Sequence, residues 1–201
     1  SSSLKLVFEL EEGPKVRIGK IGFKGNTVVD SKQLKESLEL NKERGLMTLF
    51  KGQDKYIKDK LEYDVQVNLL EAYRSIGYIN ARAGAPEIEI VEGPQGLLLG
   101  FRKTKQQYYI TVPIEEGELF YYGTFELEGA KSFDPEAIRK GFSIETGEVV
   151  NYSALKKSNE DLKKLYSTRG FLDMDVIPSM TSDTDKNTLD IRMTIVEGKQ
   201  Y

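Results

Sequence analysis

The stretch EEGPKVRIGKIGFKGN, residues 11–26, returns with changed side chains as EEGELFYYGTFELEGA, residues 115–130. Gly13 and Gly117, Gly25 and Gly129, Asp30 and Asp134, Leu34 and Ile138, and Leu38 and Phe142 all lie 104 positions apart. Farther on the spacing falls to 93, matching Leu69 with Leu162, Tyr73 with Tyr166, Gly77 with Gly170 and Tyr78 with Phe171. It falls again to 81 where Glu116-Gly117 meets Glu197-Gly198. A register that holds and slips only by an excess of eleven and then twelve residues in the first copy marks a duplicated unit with insertions in its connections. The chain of 201 residues is therefore constrained to two like modules in tandem.

Each copy predicts the same local order. Val16, Ile18, Ile21 and Phe23 correspond to Phe120, Tyr122, Phe125 and Leu127, a two-residue alternation that changes phase once in the same place. That reads as a strand with a bulge. After a glycine turn, Asp30 or Asp134 is positioned as an N-cap, with Pro135 at the first helical position of the second copy. A short helix carries Leu34 and Leu38, or Ile138 and Phe142. A longer one carries Leu61, Val65, Leu69, Leu70 and Tyr73, or Tyr152, Leu155, Leu162, Leu165 and Tyr166. Gly77 and Gly170 sit where a left-handed helix cap belongs. Two strands close the unit, around PEIEIVEG and QYYITVPIEEG, or DMDVIPSM and TLDIRMTIVEG. The expected class is α+β, a tandem of β-α-α-β-β units. The opening residues 1–13, which end in LKLVFELEEG, read as the closing strand of a preceding unit. Residues 14–117 and 118–198 read as two full units, and 199–201 as the start of another.

Composition removes whole classes of chemistry. With no cysteine and no histidine the chain lacks the usual zinc and copper ligands and the Ser-His and Cys-His nucleophile pairs. A formal net charge of −3 supplies no excess of cations to neutralise phosphates, so nucleic acid is not an expected partner. An RNA-binding KH-like module, which also begins β-α-α-β, needs a GxxG loop that neither helix junction carries. The acids form no convergent constellation for a carboxylate-dependent enzyme. No catalytic residue, metal ligand or cofactor site is expected.

The order of elements resembles the POTRA (polypeptide-transport-associated) domain. The resemblance rests on Gly25-Asn26 and Gly129-Ala130 after the first strand, Y-x-x-x-G-[YF] from Tyr73 to Tyr78 and Tyr166 to Phe171, and final strands running into E-G. The stretch LFKGQDKYIKDKLEYDVQVNLLEAYRSIGYINAR resembles the third such domain of outer-membrane protein assembly factors; the insertion around GLLLGFRKT departs from that pattern. The resemblance implies three-stranded mixed sheets, each covered on one face by two antiparallel helices. It further implies a non-catalytic periplasmic arm, joined to the membrane only through a C-terminal β-barrel, with unfolded outer-membrane proteins and accessory lipoproteins as partners. Two-partner secretion and translocation-and-assembly transporters share such domains.

An open sheet edge offers unpaired N–H and C=O groups, and pairing through the main chain tolerates many sequences. The first candidate edge is Glu87, Ile88, Glu89, Ile90 and Val91, with Ile88 and Ile90 on one side and the glutamates on the other. A bland reading puts the isoleucines in the core. A second edge contains Val176, Ile177 and Met180 but is weakened by Pro178, which has no donor. The apolar loop residues Leu46, Met47, Leu49 and Phe50 read either as an exposed contact or as a lid on their own module. Glu116, Gly117 and Glu118 form the joint, and the paired acids Glu115-Glu116 read as junction residues. The charges of the second long helix, 156 with 160, 157 with 161 and 160 with 164, predict a solvated face of i,i+4 pairs.

Overall fold

The phase changes in the two first strands are bulges. The computed structural model describes residues 16–45, 48, 51–95 and 103–201. The segment LKLVFELEEG, the loop side chains Leu46, Met47, Leu49 and Phe50, and residues 96–102 of GLLLGFRKT lie outside the described residues. The first unit runs β1 (Arg17–Lys24), α1 (Ser31–Ser37), α2 (Lys58–Tyr63), a π-helical turn Asp64–Leu69, α3 (Leu70–Arg74), β2 (Arg82–Ala83), β3 (Glu87–Gln95) and β4 (Lys103–Glu115). The second runs β5 (Tyr121–Glu128), α4 (Pro135–Gly141), α5 (Tyr152–Thr168), β6 (Asp175–Asp183) and β7 (Thr188–Val196). β1 lies parallel to β4 with its register shifting between Ile18 and Lys20. β5 lies parallel to β7 with the matching shift between Tyr122 and Phe125. The extra residue lets Ile18 and Ile21, or Tyr122 and Phe125, all reach the buried face. A carboxylate takes up the amide at each bulge: Ile21 N donates to Glu43 Oε1 at 2.8 Å, and Thr124 N to Asp190 Oδ1 at 2.6 Å.

The sheets are mixed, with the last strand central. In the first unit β4 has β1 on one side and β3 antiparallel on the other, with β2 farther along the same margin. Ala83 faces Ile114 and Glu87 faces Thr111, so residues 84–86 stand opposite only 112 and 113, and β2 and β3 act as one bulged edge strand. The second sheet has the order β5-β7-β6. The late insertion in the first copy lengthens the β3–β4 ladder. Its pairs from Glu92 with Gln106 to Gln95 with Lys103 lie past Gln107, where pairing with β1 ends.

Helices cover one face of each sheet and enclose two separate cores. Asp30 and Asp134 cap α1 and α4 by accepting from Gln33 N and Glu136 N, as the sequence predicts. Leu61, Val65, Leu69, Leu70 and Tyr73 are all buried. In α5 the stripe holds at Leu155, Leu162 and Tyr166, but Leu165 is 43% exposed. It rims an apolar groove of about 400 Å³ between α4 and α5 whose floor includes Ile138, Phe142 and Leu162.

The π-helical turn carries a charge that hydrophobic periodicity does not explain. Asp64 is fully buried and accepts from Glu39 N (2.9 Å), Leu40 N (3.0 Å), Asn41 N (2.7 Å), Asn41 Nδ2 (2.8 Å) and Asn68 Nδ2 (2.7 Å). It pins the start of the long inter-helix connection to the helix. Replacing it with alanine strands several buried donors, a loss of about 3 kcal/mol. Asp64→Ala is expected to lower the melting temperature of the first unit and remove hydrogen-exchange protection at the 39–41 amides, leaving protection of α5 unchanged. Retained protection at 39–41 would remove the anchoring role.

Candidate functional site

The E-G at the end of each unit is a hydrogen-bond hub. Glu116 accepts from Thr27 N and Val28 N at 2.9 Å, from the Thr27 hydroxyl, and from Tyr73 Oη at 2.9 Å. Glu197 repeats the arrangement with Lys131 N (2.7 Å), Ser132 N (2.8 Å), Ser132 Oγ (2.8 Å) and Tyr166 Oη (2.9 Å). The carboxylate thus ties the loop before the first helix to the end of the second and to the end of the central strand. Burial opposes its charge, but the hydroxyl and amide donors prevail and hold both carboxyls at about 2. Burial and the facing carboxylate push the Tyr73 and Tyr166 hydroxyls up. Among the described residues no group of three or more Asp or Glu converges to hold a metal ion. Through these hydrogen bonds each glutamate ties together parts of its own unit.

The joint continues from that hub. Gly77, at φ +92, accepts at its carbonyl from Phe120 N at 2.9 Å. A Cβ on Gly77 would lie 2.7 Å from both Leu119 Cδ1 and Val149 Cγ1, so the second unit packs where only glycine fits. Gly170, 93 positions on, accepts in the same way from Tyr201 N at 3.0 Å. Gly117 takes φ +71 beside Asn80, while Glu118 is exposed. Lysines of α5 that carry an ion pair find it other than at i,i+4. Lys156 reaches Glu71 of the first unit at 3.2 Å, Lys163 reaches Asp175 at 2.8 Å, and Lys164 meets Asp161 three residues back. Ser75 and Ser153 add a hydroxyl contact across the joint. The Glu71–Lys156 pair was invisible in the sequence because its halves lie 85 residues apart on different units.

The two margins of each sheet differ. Beside β1, Ile18 N donates to Asp54 O, Tyr56 N to Val16 O and Arg44 N to Ile18 O, so the inter-helix connection covers that margin. Tyr122 N to Glu148 O, Val150 N to Phe120 O and Gly147 N to Tyr122 O do the same beside β5. Among the described residues β3 pairs only with β4, and β6 only with β7. On β3, Ile88 and Ile90 stand opposite Ile110 and Tyr108, on the helix side of the sheet. They are nevertheless 40% and 59% exposed, because the helices cover β1 and β4 and, among the described residues, no β3 side chain joins the core. The reading that puts these isoleucines in the core fails. Glu87 and Glu89 are exposed on the other face and Val91 is half-buried. At the near end Gln66 Nε2 donates to Ala83 O at 3.2 Å, so the uncovered part begins beyond β2. On β6, Val176 is buried in the core, while Ile177 and Met180 are exposed on opposite faces.

This duplicated architecture has known counterparts. The model of the POTRA family, described as surface antigen variable number repeat, matches residues 16–117 and again residues 120–198. The chain belongs to the POTRA family. A Treponema pallidum protein provisionally named an outer membrane protein assembly factor is 26% identical over 96% of the chain and 22% of its own length. The outer membrane protein assembly factor BamA of Neisseria meningitidis serogroup B is 22% identical over 95% of the chain and 22% of its own length. The crystal structure of Haemophilus influenzae BamA POTRA3-5 superposes with a TM-score of 0.65 at 18% identity, over 93% of this chain and 68% of that one. That likeness shows the fold, a BamA-like tandem of POTRA units. The chain spans about a fifth of the length of the curated relatives it matches.

Two predictions follow from the POTRA hub and joint. Glu116→Gln turns an acceptor facing four donors into a partial donor and is expected to cost about 2 kcal/mol of first-unit stability. Because both carboxyls sit near 2, against an ordinary value of 4.5, their contribution is complete above that ordinary value. It is lost as pH falls from about 4.5 towards 2. Denaturant midpoints measured across that range should fall less steeply in Glu116→Gln than in the unaltered chain; equal slopes would refute the hub. Gly77→Ala is expected to leave both folds intact while decorrelating the residual-dipolar-coupling alignment of the two units. Uncorrelated units in the unaltered chain would overturn the fixed joint.

Proposed function

We propose that these two units are a non-catalytic binding and scaffolding module in the periplasmic arm of an outer-membrane β-barrel assembly protein. The module takes up segments of unfolded outer-membrane proteins by strand addition at β3 and docks accessory lipoproteins. The observation that carries this reading is the β3 margin, which is uncovered among the described residues and whose isoleucines are exposed, while the opposite margin is covered by the chain itself. Main-chain pairing supplies affinity without demanding one sequence, which suits a module that handles many clients. β6 is the weaker site: Pro178 lacks a donor and Val176 is engaged in the core. Membrane attachment, in this reading, comes from a β-barrel and not from these units; no helix among the described residues is long and apolar enough to cross a membrane. The relatives named as outer membrane protein assembly factors support the same role.

A photo-crosslinker placed at residue 90 is expected to capture an unfolded outer-membrane protein, and one placed at residue 118 is not. Adducts at 118 with none at 88 or 90 would move the site to the joint.

A further inference from the structure

The open edge has two chemically different faces. Across the sheet, Lys20, Tyr109 and Glu89 share one row, and Gly22, Thr111 and Glu87 the next, all on the face turned away from the helices. That face is basic along β1 and acidic along β3. The helix-side face of the same edge presents Ile88 and Ile90. Glu87 and Glu89 are exposed, and neither takes part in an ion pair among the described residues. A strand added to β3 would place its side chains directly across from these residues, alternating between the two faces.

We infer that the β3 edge selects extended segments in which apolar residues alternate with lysine or arginine, and rejects segments that alternate with acids. Apolar side chains extend the ledge of Ile88 and Ile90, while the alternate cations lie across from Glu87 and Glu89. The same charges repel a second copy of this edge, because β3 on β3 sets glutamate near glutamate, so the margin stays open without self-association. This inference rests on strand addition at β3 and adds the charge rule to it. The β6 edge supplies an internal contrast. Its outward face carries Asp175, Ile177, Ser179, Thr181 and Asp183, and both acids are already engaged, Asp175 by Lys163 and Asp183 by Lys186. No such selection operates there.

The test uses three eight-residue peptides of alternating valine with lysine, threonine or glutamate, titrated into the full chain while β3 amide NMR shifts are followed. The lysine peptide is expected to bind at β3 about tenfold more tightly than the threonine peptide, from two favourable cross-strand pairs, and the glutamate peptide more weakly than either. Glu87→Lys/Glu89→Lys, two exposed sites whose exchange leaves the core untouched, should reverse the order. Glu136→Lys/Glu160→Lys, which changes net charge equally on the second unit's helices, should leave it as it was. Equal binding of all three peptides at β3 would overturn the charge rule and leave strand addition standing. Shifts in neither β3 nor its neighbours with any peptide would overturn strand addition itself. Reversal by the helix variant would reduce the effect to net charge and also overturn the rule.

Discussion

Each unit is closed by one carboxylate. Glu116 and Glu197 stand at the last residue before the joint glycine, and each gathers loop amides, a hydroxyl and a buried tyrosine Oη around a single charge. Hydrogen bonds to a charged acceptor are the stronger kind, and several converge here where burial would otherwise disfavour the charge. The central strand, the loop before the first helix and the end of the second helix are thereby fixed together. Gly77 and Gly170 follow the tyrosines by four residues, so the hub also positions the carbonyl on which the next segment docks. Fold closure and joint geometry therefore depend on the same group.

The asymmetry of the sheet margins follows from this arrangement. With the second helix anchored at its C-terminal end, the connection between the helices is left to run back along the first strand and take up its free amides. Arg17 and Asp54 add an ion pair there in the first unit. The opposite margin has no equivalent cover among the described residues. In the second unit that edge strand is held by Val176 and carries a proline. In the first, the stretch beyond Ala83 contributes no described side chain to the core, the strand is bulged at residues 84–86, and it runs on beyond the reach of β1. Duplication has thus produced two margins of unequal openness from one plan.

Much of this was legible from sequence. The bulges, N-caps, helix stripes and the E-G and Y-x-x-x-G landmarks are local periodicities or fixed spacings, and the echo, at offsets of 104, 93 and 81, made each visible twice. Three features were not. Asp64 sits on the apolar stripe between Leu61 and Val65, a signal that could have been read, but its partners at 39–41 come from a connection whose path periodicity does not give. Leu165 matches the stripe yet lines a groove, because α4 is too short to cover it. Lys156 has a correctly spaced acid on its own helix but lies nearer to Glu71 of the other unit.

The sequence by itself determined that there are two β-α-α-β-β units, where their strands and helices fall, and that EIEI alternates between two faces. Only the tertiary structure decided that both faces of that strand are exposed. Alternation is a property of one strand, whereas exposure depends on which neighbouring strands the helices roof over and which margin the connecting loop covers. Those placements are set by contacts between residues far apart in the chain.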